Sequence, residues 1–206
     1  MAVEHYFSQT PETEFKPKQI KVKLAGRDAV VETSGGIFSP DHVDGGTAVL
    51  LEHLDQVPAG GNLLDIGCGW GPIALSIALV SPRSKVWAID VNDRSLELTR
   101  RNAKTLGLSN VFVCRPEDVP PAIKFQGIWS NPPIRVGKQE LHDILMTWLP
   151  RLEEDAEAFL VVQKNLGADS LQRWLEASLG DEFSTVRFDT AKSFRVLRTK
   201  HRSGLL

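Results

Sequence analysis

A chain of 206 residues with 42% hydrophobic side chains can bury a core of its own, and the usual span of roughly 100 to 200 residues per domain predicts one domain over 1–206. A formal net charge of −2 excludes the strong Lys/Arg excess of an autonomous nucleic-acid binder, so any contact with nucleic acid must rest on local chemistry. Two widely separated cysteines, Cys68 and Cys114, exclude a Cys-x-x-Cys metal framework, and no apolar run reaches the ~18 residues of a membrane span; a cytoplasmic protein with no metal and no membrane partner is expected.

Residues 1–17 are polar and broken by prolines, which predicts an extended arm. Over 18–34, Ile20, Val22 and Leu24 alternate with lysines, Gly26 marks a turn, and Ala29, Val31 and Thr33 resume the alternation, the pattern of a hairpin. Val49, Leu50 and Leu54 have helical spacing and predict a helix from Asp44 to Leu54. From Asn62 onward, short apolar runs (63–66, 85–89, 111–113, 127–129 and 158–162) alternate with amphipathic stretches. The runs suit strands buried on both faces of a parallel sheet, so 44–206 reads as an α/β, Rossmann-like core.

The intervening helices are marked by Leu96, Thr99, Ala103 and Leu106, by Leu141, Ile144, Leu145, Trp148 and Leu152, and by Leu171, Trp174, Leu175 and Leu179. Two further strands, 184–188 and 193–197, follow with no helix between them and are expected to pair antiparallel at the sheet edge. The basic run Arg198-Thr199-Lys200-His201-Arg202 reads as a frayed terminus.

The strongest feature is Leu63-Leu64-Asp65-Ile66-Gly67-Cys68-Gly69-Trp70-Gly71-Pro72, an apolar strand running through three glycines into a helix near Ile73. Gly67, Gly69 and Gly71 permit positive φ and let a ligand approach the backbone around Cys68, and the free amides at the helix start favour an anionic group. Pro72 where a dinucleotide fold usually has its third glycine, and an acid directly before the loop, argue against a nicotinamide dinucleotide. Asp65 would oppose a pyrophosphate and suit a cationic amino group. Val86-Trp87-Ala88-Ile89-Asp90 ends a second strand in an acid that suits two ribose hydroxyls, with Val91 beside it, and Asp118 after the third strand could accept from an adenine amino group.

At the end of the fourth strand stands Ser130-Asn131-Pro132-Pro133-Ile134. Two prolines fix the backbone and remove two amide donors, so Asn131, Pro132 and Pro133 present a carboxamide oxygen and carbonyls in a fixed direction, acceptors suited to a planar NH2 group.

Leu64-Asp65-Ile66-Gly67-Cys68-Gly69, Asp90 and Asn131-Pro132-Pro133 together resemble the class I methyltransferases, specifically the small-domain branch that includes the guanine-N2 ribosomal RNA methyltransferases. The resemblance implies a mostly parallel seven-stranded sheet with an antiparallel edge strand, helices on both faces and S-adenosyl-L-methionine as cofactor. It makes Asn131, Pro132 and Pro133 the catalytic loop. Gly36-Ile37-Phe38-Ser39 and Val43-Asp44-Gly45-Gly46-Thr47 look like the branch's segment over the methionine end of the cofactor, which adds Asp44 and Thr47 as cofactor-binding candidates. More narrowly, His5-Tyr6-Phe7-Ser8, the run from Asn131 to Lys138, and Phe194-Arg195-Val196-Leu197 resemble a compact RsmC-like subgroup.

The implied substrate is the exocyclic amino group of a guanine in ribosomal RNA, with RNA or a ribosomal subunit as partner and the oligomeric state left open. Ile134 departs from the branch by replacing an aromatic residue that stacks on the target base, and Phe38 or Trp70 could substitute for it. Arg135, Lys138 and Lys164 are candidates for phosphate contacts. A protein glutamine amide or a small molecule as methyl acceptor, a non-catalytic cofactor-binding scaffold, and a dinucleotide oxidoreductase stand as alternatives.

Overall fold

A computed structural model describes residues 14–204, so the His5–Ser8 segment and most of the arm lie outside the described residues. Strands β1 (Lys18–Leu24) and β2 (Arg27–Thr33) form the expected antiparallel hairpin, turning through Ala25 and Gly26, both at positive φ. The hairpin shares a core with the rest of the chain: Leu24, Val31 and Ile37 pack with Trp70, Leu75, Leu98 and Ala103. Asn102 fixes its second strand by a side chain that mimics a neighbouring strand, accepting from the Glu32 amide at 2.7 Å and donating to the Glu32 carbonyl at 2.9 Å.

The remaining strands, β3 (Gly61–Ile66), β4 (Ser84–Ile89), β5 (Val111–Cys114), β6 (Phe125–Ser130), β7 (Leu152–Gln163), β8 (Phe183–Ala191) and β9 (Phe194–His201), build one seven-stranded sheet in the order β5-β4-β3-β6-β7-β9-β8. The first five are parallel to one another; β9 runs against β7 and β8, so the antiparallel hairpin completes one edge with β9 inserted and β8 outermost. The run 198–201 therefore lies within β9 and is no frayed terminus, because both of its neighbours supply ladder partners.

Helices α1 (Gly45–Leu51), α2 (Pro72–Val80) and α3 (Asp93–Thr105) lie on one face, and α4 (Lys138–Trp148) and α5 (Ala168–Ser178) on the other. Period-two alternation in the strands decides which side chain meets which layer. Leu63, Phe159 and Val161 pack toward α1 and α2, whereas Leu64, Leu160 and Val162 pack toward α4 and α5. All six are buried, and truncating one of the leucines to alanine would cost about 2–5 kcal/mol.

Two predicted helices are shorter than their periodicity suggests. The first ends at Leu51, and a separate 3-10 turn covers Leu54–Gln56. The fourth ends at Trp148 because Pro150 cannot continue the ladder; a 3-10 turn spans Leu149–Arg151 and Leu152, predicted as helical, begins β7.

The topology opens a place for a ligand. From β3 the chain proceeds outward to β4 and β5, then returns to the opposite side of β3 as β6, so the connections at the carboxyl ends of β3 and β6 depart in opposite directions and open a crevice.

Candidate active site

The parallel register pairs Ile66 with Ile89 on one side and with Ser130 on the other. The next residues in the three strands are Gly67, Asp90 and Asn131, so the glycine loop, the second acid and the Asn-Pro-Pro loop emerge side by side. Ser130 Oγ donates to the Ile66 carbonyl at 2.7 Å and stitches β6 to β3 at this level.

The glycine loop is held from below. The amides of Gly67 and Cys68 both donate to the Ile89 carbonyl at 2.9 Å, the Gly69 amide donates to Asp90 Oδ2 at 2.9 Å, and Thr99 Oγ1 donates to the Gly69 carbonyl at 2.9 Å. Gly67 (φ 76°) and Gly69 (φ 57°) have left-handed backbone, and a Cβ on either would point into open space. Bare backbone therefore faces the crevice and leaves a cradle for a ligand. Gly71 (φ 98°) differs, since a Cβ there would come within 3.0 Å of Leu75; it serves tight packing at the start of α2.

Asp65 lies one layer behind this cradle, with no exposed surface. One carboxylate oxygen accepts from the Ala74 amide at 3.0 Å, while Oδ1 is buried with no partner. Burial pushes its carboxyl up to about 8, against the pull of the Ala74 amide and with a further push from Asp90. An orphaned buried carboxylate oxygen next to an open glycine cradle fits a ligand carrying a cationic amino group.

Asp90 is half-buried and also raised by burial, although amides of Asn92 and Gly69 favour its charged form. Oδ1 accepts from the Asn92 amide and Oδ2 from the Gly69 amide, both at 2.9 Å, and the Ser95 side chain and the Val91 amide also favour the charged form. Val91 is exposed beside it, and Asp118 is exposed on a 3-10 turn just past β5, the neighbour of β4.

Cys68 is 3% exposed, and burial together with the negative charges of Asp90 and Asp65 drives its thiol well above the usual range, which suits a packing role.

On the far side of the crevice, Asn131 Nδ2 donates to Asp44 Oδ2 at 2.9 Å and to Thr47 Oγ1 at 3.1 Å. The Pro132 carbonyl already accepts from the Ile134 amide at 2.8 Å, which leaves it one free lone pair. A narrow cleft gathers Phe38, Asp44, Thr47, Gly67, Cys68 and Gly69 around Asn131.

The two aromatic candidates separate here. Trp70 is 1% exposed and belongs to the core beneath the hairpin, whereas Phe38 is 47% exposed at the cleft. Its segment is pinned by Trp70 Nε1 donating to the Ser39 carbonyl at 3.2 Å, by Asn92 Nδ2 donating to the Gly36 carbonyl at 2.9 Å, and by a tight bond from Arg94 to the Gly35 carbonyl. Lys138 at the start of α4 and Lys164 just past β7 are exposed at the same end of the sheet, and Arg135 lies in the 3-10 turn Ile134–Val136.

The sequence matches the family described as methyltransferase small domain over residues 28–198. The chain belongs to that family. This methyltransferase is 34% identical to the Bacillus subtilis protein YbxB over 200 residues, covering 96% of this chain and 98% of the relative. It is 32% identical to the ribosomal RNA small subunit methyltransferase C of Stutzerimonas stutzeri over 91% of this chain but only 57% of that protein. In fold it is similar to the T. thermophilus 16S rRNA N2 methyltransferase RsmC, solved with AdoMet and guanosine: the TM-score is 0.76 at 21% identity, covering 93% of this chain and 52% of that one. The methyltransferase thus spans nearly all of YbxB and about half the length of the ribosomal RNA enzymes it matches. Family membership makes it an S-adenosylmethionine-dependent enzyme, and the cradle, the orphaned Asp65 oxygen and Asp90 provide groups that fit this donor.

Proposed function

We propose that this methyltransferase transfers a methyl group to the exocyclic amino group of a guanine in ribosomal RNA. The observation that carries the reading is the orientation of Asn131: its NH2 is committed to Asp44 and Thr47, so its oxygen is the acceptor left for a substrate, one strand away from the glycine cradle.

When bound, S-adenosylmethionine supplies an electrophilic methyl on a sulfonium centre. Gly67, Gly69 and Asp90 would hold it, with Asp65 compensating its ammonium group from behind and Val91 and Asp118 flanking the adenine. An amino group that donates to Asn131 Oδ1, and to the remaining lone pair of the Pro132 carbonyl, has its lone pair drawn out of conjugation and aimed across the crevice. The bound donor would supply its methyl group to that nitrogen, and Asn131 Oδ1 and the Pro132 carbonyl would hold the amino group while one of its protons passes to water. Pro133 keeps the loop rigid while this happens.

RNA is favoured over other amines by Phe38, an exposed aromatic pinned at the cleft where stacking on a base is worth about 1–3 kcal/mol. Arg135, Lys138 and Lys164 would contact phosphates at the same end of the sheet and position the RNA without reading its sequence. The names of the ribosomal RNA relatives point the same way, and such a substrate implies a cytoplasmic enzyme.

The test is incubation of the purified protein and methyl-labelled S-adenosylmethionine with small ribosomal subunits and deproteinised rRNA from a strain lacking the gene, followed by nucleoside analysis. Label in N2-methylguanosine that disappears on nuclease treatment supports the reading. Label removed by protease instead would assign the reaction to a protein amide.

A further inference from the structure

We propose that Asp44 and Thr47 are positioning residues that fix the carboxamide of Asn131 with its oxygen toward the cleft, in place of the cofactor contact expected for them. The proposal deepens the assignment of Asn131 as the acceptor of the substrate NH2, and it rests on that assignment.

A carboxamide has two chemically different ends of nearly equal size, and only its oxygen can receive a substrate amino group. Left free, Asn131 could turn either end to the cleft. A carboxylate only accepts, so Asp44 Oδ2, at 2.9 Å, admits the NH2 end and repels the oxygen. Thr47 Oγ1 takes the same nitrogen at 3.1 Å, so both amide protons have partners and Thr47, 3% exposed, is shielded from water.

The clamp is itself built into the fold. Asp44 caps α1, its Oδ2 accepting from the Gly46 amide at 2.8 Å and the Thr47 amide at 3.3 Å, so the oxygen that holds Asn131 is tied to the helix start. The Phe194 ring of β9 lies against the two glycines between the clamp residues: a Cβ on Gly46 would meet it at 3.0 Å and one on Gly45 at 3.3 Å. The sequence Asp44-Gly45-Gly46-Thr47 therefore combines two polar groups for Asn131 with two residues small enough for an aromatic ring to press the helix start into place.

A helix cap and a clamp make different demands, which separates a structural role from a positioning one. Asp44→Ser keeps a capping oxygen but is too short to reach Asn131, while Asp44→Asn keeps an oxygen at the full distance. Thr47→Val removes the second acceptor at constant shape, and Thr47→Ser keeps it. We expect Asp44→Ser and Thr47→Val to leave the affinity for S-adenosylhomocysteine within about twofold while lowering kcat on rRNA by about 10- to 100-fold, with Asp44→Asn and Thr47→Ser restoring most of it.

In protein carrying 15N-asparagine, with the Asn131 signal assigned by its loss in Asn131→Asp, the side-chain NH2 protons should exchange slowly in the wild type. They should exchange quickly in Asp44→Ser. A tenfold fall in S-adenosylhomocysteine affinity in Asp44→Ser, or unchanged protection of the Asn131 protons, overturns the proposal. If the wild type transfers no methyl to rRNA, the RNA reading fails, and the exchange and affinity measurements still decide the clamp.

Discussion

Ser130 Oγ donates a hydrogen bond of 2.7 Å to the carbonyl of Ile66, joining the last residues of two strands that are 64 positions apart in the chain. Gly67 and Asn131 follow directly, so this buried bond sets the distance between the glycine cradle and the Asn-Pro-Pro loop. Ser130→Ala should cost about 1 kcal/mol in denaturant unfolding. It should lower the methyl-transfer rate more than it lowers affinity for S-adenosylhomocysteine, because a small displacement affects alignment before it affects binding.

Asp65 makes stability and ligand binding depend on pH. Its folded value of about 8 lies above its ordinary 3.8, so between these limits the native state retains a proton that the unfolded chain has released. The contribution of this group to stability is therefore full below the ordinary carboxylate range and is lost as the pH rises through about 8. Asp65→Asn should flatten that part of the stability profile, read from denaturant midpoints taken between about pH 4 and about pH 8. A ligand ammonium favours the charged form, so near pH 7 the binding of S-adenosylhomocysteine should release up to about one proton. Calorimetry in buffers of different ionisation enthalpy measures this release, which Asp65→Asn should abolish.

The second acid has a simpler signature. Asp90→Ala removes the acceptor for the Gly69 amide and for the proposed ribose hydroxyls, and hydrogen bonds to a charged group are worth about 1.5–3 kcal/mol. The affinity for S-adenosylhomocysteine should fall by about tenfold or more, while methyl transfer at saturating cofactor falls less.

Phe38 and Trp70 should respond in opposite ways. Phe38→Ala should leave unfolding nearly unchanged and weaken the interaction with rRNA by about 1–3 kcal/mol, seen as a higher KM. Trp70→Ala should destabilise the protein by about 3–5 kcal/mol through a cavity under the hairpin.

These contrasts mark where the sequence is legible. The glycine loop, the acids ending β3 and β4 and the Asn-Pro-Pro loop are local patterns, and the sheet brings them together through strand register. Short strands with apolar residues on both faces were equally readable. The sequence is silent about contacts between distant segments. Nothing local in Asp44 or Thr47 points to Asn131, 87 and 84 positions away, and Asn102 is one polar residue on an amphipathic helix until β2 arrives to take both ends of its amide. Leu152 fits a helical period, but Pro150 stops the helix and the apolar residue is reused to start β7. The burial of Asp65 behind its loop was likewise invisible, since the same acid could equally have lined the cleft.

The central claim is that Asn131 acts on the methyl acceptor and leaves the cofactor alone. The most direct measurement pairs methyl incorporation into rRNA with S-adenosylhomocysteine affinity for Asn131→Ala. Incorporation should fall by about 100-fold or more while affinity stays within about twofold. Full incorporation by Asn131→Ala, or a loss explained entirely by weaker cofactor binding, would contradict the account.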